Sequence, residues 1–259
     1  MPRSPFAGLV DVAAQRPIRV LSADEIERML ASHRLYRETE YHEGHRADFS
    51  SVDLVGRDFS GLDLRGIQMD RAMLRGADFS GANLQGANLI GAIAQQARFD
   101  RADLSRARLS GANLVSASFE NACLARAEME FALVANAALR GACLGEADMS
   151  GAQVDRAVLT GADLRKANLR GAGLRGAQLD AADLRDARLG SAFLAGASLQ
   201  GADLRGAYLR VAKLDGADLS DANLEGAEGI TRAQLDQAHL NRRSPKLPED
   251  LTGAEDANR

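Results

Sequence analysis

The chain of 259 residues carries 32 basic and 36 acidic side chains, a net charge of −4, so it is neither a nucleic-acid-binding chain nor a strongly acidic one. Aromatic residues make up only 4% and tryptophan is absent, which excludes a globule built around bulky rings. There is no apolar run of about 18 residues, two cysteines make no disulfide framework, and Met1-Pro2-Arg3-Ser4-Pro5 opens no convincing signal peptide, so a soluble cytoplasmic protein is expected.

Residues 1–46 read as an irregular segment followed by a helix. Ser22-Ala23-Asp24-Glu25 is a capping box, in which Ser22 accepts from the amide three residues on and Glu25 reaches back. Ile26, Met29, Leu30 and His33 then fall on one side at helical spacing, which predicts a helix from about 23 to 37. Its apolar side is expected to cover the first turn of the region that begins at residue 47.

Residues 47–226 are a tandem repeat of five. Alanine recurs at every fifth position from Ala72 to Ala227, and two places after each inner alanine comes Leu, Phe, Met or Val; among these centres, only Ala94 is small. Ala77-Asp78-Phe79-Ser80-Gly81 shows the unit. Centres run from Phe49 to Leu224, which makes 36 units without a slip of register. A period of five matches neither an α-helix at 3.6 nor a flat strand at 2.0. It predicts a solenoid, in which each turn packs only on its neighbours. Phe59, Phe79, Phe99 and Phe119 recur at intervals of 20 residues, so four units per turn stack these rings in one column. Ala92-Ile93-Ala94-Gln95-Gln96 breaks the pattern, and a local void or bulged turn is expected there.

Residues 227–259 leave the repeat. Thr231-Arg232-Ala233-Gln234 is a second capping box, opening a helix expected to reach about Leu240, with Leu235 and Leu240 closing the last turn. Pro245, Pro248 and the polar stretch to Arg259 read as a loose tail.

These units resemble the A-(D/N)-L-x-x motif of the pentapeptide-repeat family, and both flanks are similar to the ends of many bacterial members. The resemblance implies an all-β solenoid, a right-handed quadrilateral parallel β-helix of about nine coils and roughly 40 Å, with short α-helical caps at both ends. It also implies non-enzymatic work as a scaffold or regulator that binds a protein partner. The alternative it offers is a mimic of DNA that binds or protects DNA gyrase. That role asks for a strongly negative surface, whereas the repeats hold 20 basic and 23 acidic residues. Projecting loops found in many resistance proteins are missing too.

Sorting the outward positions by coil gives four different surfaces. One, centred on Leu54 to Leu214, gathers Val55, Met73, Ile93, Val115, Leu133 and Phe193, with Phe131 and Val211 at the adjoining corner; it is the candidate partner-binding face. The surface centred on Leu64 to Leu224 carries ladders of Asp and Asn beside Arg165, Arg185 and Arg205, interrupted by Cys123 and Cys143 one coil apart. These cysteines are expected to stay free thiols, because in-register neighbours point the same way and the cytoplasm is reducing. No metal site is expected: His33, His42, His45 and His239 all lie outside the repeat, and His42-Glu43-Gly44-His45 reads as a polar loop. No phosphate-binding loop and no nucleophile elbow is present, so no catalytic residue and no cofactor is expected. A regular rod is also expected to offer no deep cleft. Direct nucleic-acid binding is not expected, and a monomer or a dimer through the C-terminal helix fits equally well.

Overall fold

The computed structural model of the chain describes residues 17–239 and 244–252. Its first element is α1 (Ala23–Glu38), capped by Ser22 and Glu25 as the sequence reads. From residue 48 onward, one residue in every five forms a parallel bridge with the residue 20 further on, from Asp48 with Gln68 to Tyr208 with Glu228. Four units therefore complete one coil, and we number the faces by their lowest centres: first Phe49, second Leu54, third Phe59, fourth Leu64.

The repeat closes because each position has one task. The centre and the alanine two before it point inward and are buried at the bore. Between units the chain turns, with the alanine N–H donating to the preceding centre's carbonyl, as from Ala82 to Phe79 at 2.9 Å. The residue before that alanine is left-handed, which is why Gly81 recurs in kind along the rod. In the polar position, aspartate often braces the turn: the Asp78 carboxylate accepts from the Ser80 N–H at 2.8 Å.

On the third face the four rings stack as the 20-residue interval requires. Phe59, Phe79, Phe99 and Phe119 lie with centroids 4.8–5.0 Å apart and planes within 9° of parallel. That distance is the spacing of adjacent strands, so the backbone sets the stack and Leu139 continues the column.

The expected bulge at Ala94 is absent. Its N–H donates to Asn113 O at 2.8 Å and Gln96 takes the same left-handed turn as its counterparts, so the ladder passes through unbroken. The backbone bonds are made between main chains and do not depend on the size of the centre.

Both ends of the ladder are paired by irregular chain, which the sequence does not announce. Below the second face, Arg19 bridges Val52, donating to Ser51 O at 2.7 Å and accepting from the Asp53 N–H at 2.8 Å. Above the third and fourth faces, His239 bridges Asp218 and Lys246 bridges Asn223. Exposed ladder edges invite pairing with other chains, and these segments occupy them. Ile26 of α1 is buried, Met29 and Leu30 pack against the core, and the Ala47 N–H donates to His33 Nδ1 at 3.2 Å.

The C-terminal expectations need correction. The second helix, α2 (Arg232–Asp236), is shorter than expected, because the His239 N–H is drawn to Ala217 O at 2.7 Å and the chain must leave the helix to reach it. Leu235 is buried as expected, while Leu240 lies outside the described residues. The stretch read as a loose tail carries the Lys246 bridge and a third helix, α3 (Glu249–Thr252), and Leu247 and Leu251 pack on the core. The remainder from 253 lies outside the described residues, as does the start of the chain to residue 16.

Candidate functional site

The outward column of the second face runs Asp53, Met73, Ile93, Asn113, Leu133, Gln153, Gly173, Phe193 and Lys213, each bridged to the next. Met73 and Ile93 are direct neighbours; Leu133 sits one coil beyond Asn113. All three are half-buried, as is Val115 beside them. Phe193 is 39% exposed, and the Arg175 guanidinium lies over its ring, 4.7 Å from the centroid. Arg175 in turn reaches Asp155 at 3.6 Å, so this apolar residue is roofed by a charged pair.

The most exposed of the eight predicted residues flank this column. Val55 is 50% exposed, Phe131 65% and Val211 59%. Phe131 and Val211 occupy the left-handed turn position, at φ 57° and 53°. A left-handed β-branched residue such as Val211 is a conformational outlier. The Phe131 ring folds over Gly151 of the next coil, where a Cβ would lie 2.6 Å from it. Met73, Ile93, Val115 and Leu133 are thus half-buried, while Phe193 in the same column, Val55 at the position equivalent to Val115, and the corner residues Phe131 and Val211 are exposed, with Asn113, Gln153 and Lys213 interspersed.

The fourth face, on the opposite side, holds a feature that the expectation of a smooth rod missed. An open trough of about 980 Å³ runs along it. In the column after the centres, Gln85 is followed by Ser105, Ala125 and Gly145 before Arg165 resumes the long side chains. Three small side chains in adjacent coils lower the floor, and that run is the signal the sequence held. Cys143 lines the trough, and Arg106, Arg126, Glu146 and Lys166 line its corner side.

Charge in and above the trough is largely paired. Arg126 donates to Glu146 at 2.9 Å. Arg165 grips Asp163 with two bonds of 2.7 and 2.8 Å and reaches Asp183 at 3.7 Å; Arg185 repeats this toward Asp183 and Asp203. The Arg165 bond holds the Asp163 carboxyl below the usual carboxylate range despite some burial. Burial pushes the Cys143 thiol up, helped by the neighbouring Cys123 and Asp163. Both cysteines are free, and Cys123 Sγ lies 3.1 Å from the Ser105 hydroxyl. Among the described residues no three His, Cys, Asp or Glu side chains converge as metal ligands, and no helix is long and apolar enough to cross a membrane.

Comparison with known proteins finds the same repeat. The family model for pentapeptide repeats matches in eight copies, over residues 47–86, 82–121, 112–151, 152–190 and 192–228. Among solved structures, the chain is 31% identical to HetL, a pentapeptide repeat protein involved in heterocyst differentiation regulation from the cyanobacterium Nostoc sp. strain PCC 7120; the match covers 83% of this chain and 96% of that one, with a TM-score of 0.45. It is 21% identical to a trypsin-treated form of QnrB1, a plasmid-mediated fluoroquinolone resistance protein, over 76% of this chain and 90% of that one, with a TM-score of 0.41. A pentapeptide repeat protein from the Arabidopsis thaliana thylakoid lumen is 28% identical over 46% of this chain and 66% of that one, with a TM-score of 0.25. No curated protein matches.

Proposed function

The chain belongs to the pentapeptide-repeat family, and from that premise we propose that it is a non-enzymatic scaffold or regulator that docks a protein partner on its second face. In this reading nine right-handed coils form a stiff rod, the helices α1 and α2 close its ends, and the cytoplasm is where it works, as monomer or dimer. Partner contact is made by Val55, Met73, Ile93, Val115, Phe131, Leu133, Phe193 and Val211.

One observation carries the reading. Phe131 and Val211 are left-handed, where backbone strain costs of order 1–3 kcal/mol, and both point apolar groups at solvent. Polar residues such as Gln96, Asn136 and Arg156 take the same turn elsewhere on the rod, and glycine at Gly111 and Gly171 takes it without strain, so what sets Phe131 and Val211 apart is an apolar side chain turned to solvent. A bound partner that buries them gains from it. The alternative of a DNA mimic is disfavoured by the pairing of acid with base between coils, as in Arg98 with Asp78 and Arg108 with Glu128.

The test is capture of partners from the source cell by the intact chain and by an Ile93→Glu, Leu133→Glu double variant. The variant should keep the melting behaviour of the parent and lose the captured protein. Equal capture by both ends the reading of this face, and protection of gyrase from a quinolone by the purified chain would favour the mimic.

A further inference from the structure

We propose that Cys123 and Cys143 form a two-coordinate bis-thiolate site for a soft monovalent metal cation, Cu(I) being the representative, in the trough of the fourth face. They are the only two cysteines of the chain, and they bridge each other directly in one outward column. The site lies on the opposite side of the rod from the apolar face and does not depend on what binds there.

Spacing is the first argument. Adjacent parallel strands are about 4.8 Å apart, and in-register side chains leave them in the same direction. A disulfide needs its Cβ atoms about 3.8 Å apart and its sulfurs about 2.05 Å apart, so the coils would have to pinch. A metal between two thiolates needs no pinch: at the zinc–thiolate length of about 2.3 Å, two metal–sulfur bonds in line span about 4.6 Å. The arrangement that works against a direct sulfur–sulfur bond therefore suits a bridging atom.

Ligand number is the second. The next groups in the column are Asp103 and Asp163, and both are engaged. Asp103 accepts from Gln85 Nε2 at 2.5 Å and from the Ser105 N–H at 2.9 Å, and Asp163 is clamped by Arg165. A cation that demands three or four ligands finds two; thiolate pairs select soft ions such as Cu(I).

Charge and access complete it. Binding follows M⁺ + 2 RSH → [M(SR)₂]⁻ + 2 H⁺, so the product is an anion although the ligand is a cation. Arg106 and Lys166 line the trough, and among the described residues neither has a salt bridge or a side-chain hydrogen bond. Their two positive charges offset those of the Asp103 and Asp163 carboxylates that flank the thiols in the column. Both thiols are half-buried; Cys143 lines the trough floor beside Gly145, and Cys123 lies against the Ser105 hydroxyl at 3.1 Å.

The experiment is an anaerobic titration of the reduced full chain with Cu(I) presented by a chromophoric chelator. The chain should withdraw one Cu(I), and X-ray absorption of the complex should show two sulfur neighbours and no third ligand. Cys123→Ser and Cys143→Ser should each lose the ability to compete with the chelator while keeping the metal-free circular dichroism and melting temperature of the parent. Retention of copper by either folded single variant, failure of the parent to compete, a third ligand, or copper held between two chains would each overturn the proposal.

Discussion

Leu104, Leu124, Leu144 and Leu164 alternate along the same strands with Asp103, Cys123, Cys143 and Asp163, yet the two columns differ completely. The inner one repeats a single side chain coil after coil, fully buried. The outer one changes from carboxylate to thiol and back. Both share one backbone ladder, so the ladder does not account for the difference. The bore has one width and admits few shapes, whereas the outer surface meets only solvent or a ligand. Stability is therefore written inside and specificity outside, and substitutions on the two sides should have effects of different size.

The sharpest break comes inside. Phe99 is fully buried between Phe79 and Phe119, with centroids 5.0 and 4.8 Å away. Phe99→Ala removes the ring from a stack whose spacing the strands fix, so the neighbours cannot close the gap. Chemical denaturation should show a loss of about 3–5 kcal/mol. Gln178→Ala, outward on the same face, should stay within about 0.5 kcal/mol. Equal losses for the two would break the contrast between inside and outside.

A smaller effect belongs to the junction between helix and rod. His33 is buried, and its Nδ1 accepts the Ala47 N–H at 3.2 Å. An N–H only donates, so the ring must be neutral with its proton on Nε2, which is buried without a partner. Burial lowers the His33 pKa; Arg37 and Arg46 lower it further, and Asp63 acts against them. The folded value thus lies below the unfolded one, near 6.5, and in the interval between them the unfolded chain binds more protons. The contribution of His33 is complete above about pH 6.5 and is lost as pH falls through the folded value. His33→Asn should flatten the stability curve in that interval. A slope unchanged from the parent would place the pH dependence elsewhere.

The repeat was legible because each unit restates the last: the five-residue Ala and Leu columns lead to a solenoid, and the 20-residue Phe interval leads to four-unit coils. The capping boxes at Ser22 and Thr231 also signal their helices through local chemistry alone. What covers the ladder edges was hidden. Arg19, His239 and Lys246 pair through main-chain atoms, and main-chain pairing leaves no residue signature. The trough was legible only after sorting by coil, since Ser105, Ala125 and Gly145 are far apart in the chain and ordinary one by one. The apolar face could be assembled from the sequence, but its division into half-buried Ile93 and exposed Phe131 depends on which positions lie at a corner.

The finest test of the inside rule is Ala94, the one small centre. Its backbone bonds are intact, and its column neighbours Leu74 and Leu114 are fully buried, so the bore on either side already holds an isobutyl group. Ala94→Leu adds buried surface worth up to about 1.5–3 kcal/mol against an overpacking cost of about 1–3 kcal/mol. With leucine accepted immediately above and below, the balance should be neutral or stabilising. Ala92→Leu, at the turn where alanine is strict, should instead lose about 1–3 kcal/mol or more. A loss above about 2 kcal/mol at Ala94 in chemical denaturation, the scale of overpacking, would mean that the coil has closed around the methyl group. The width of the bore would then be set locally by each side chain and not by the ladder.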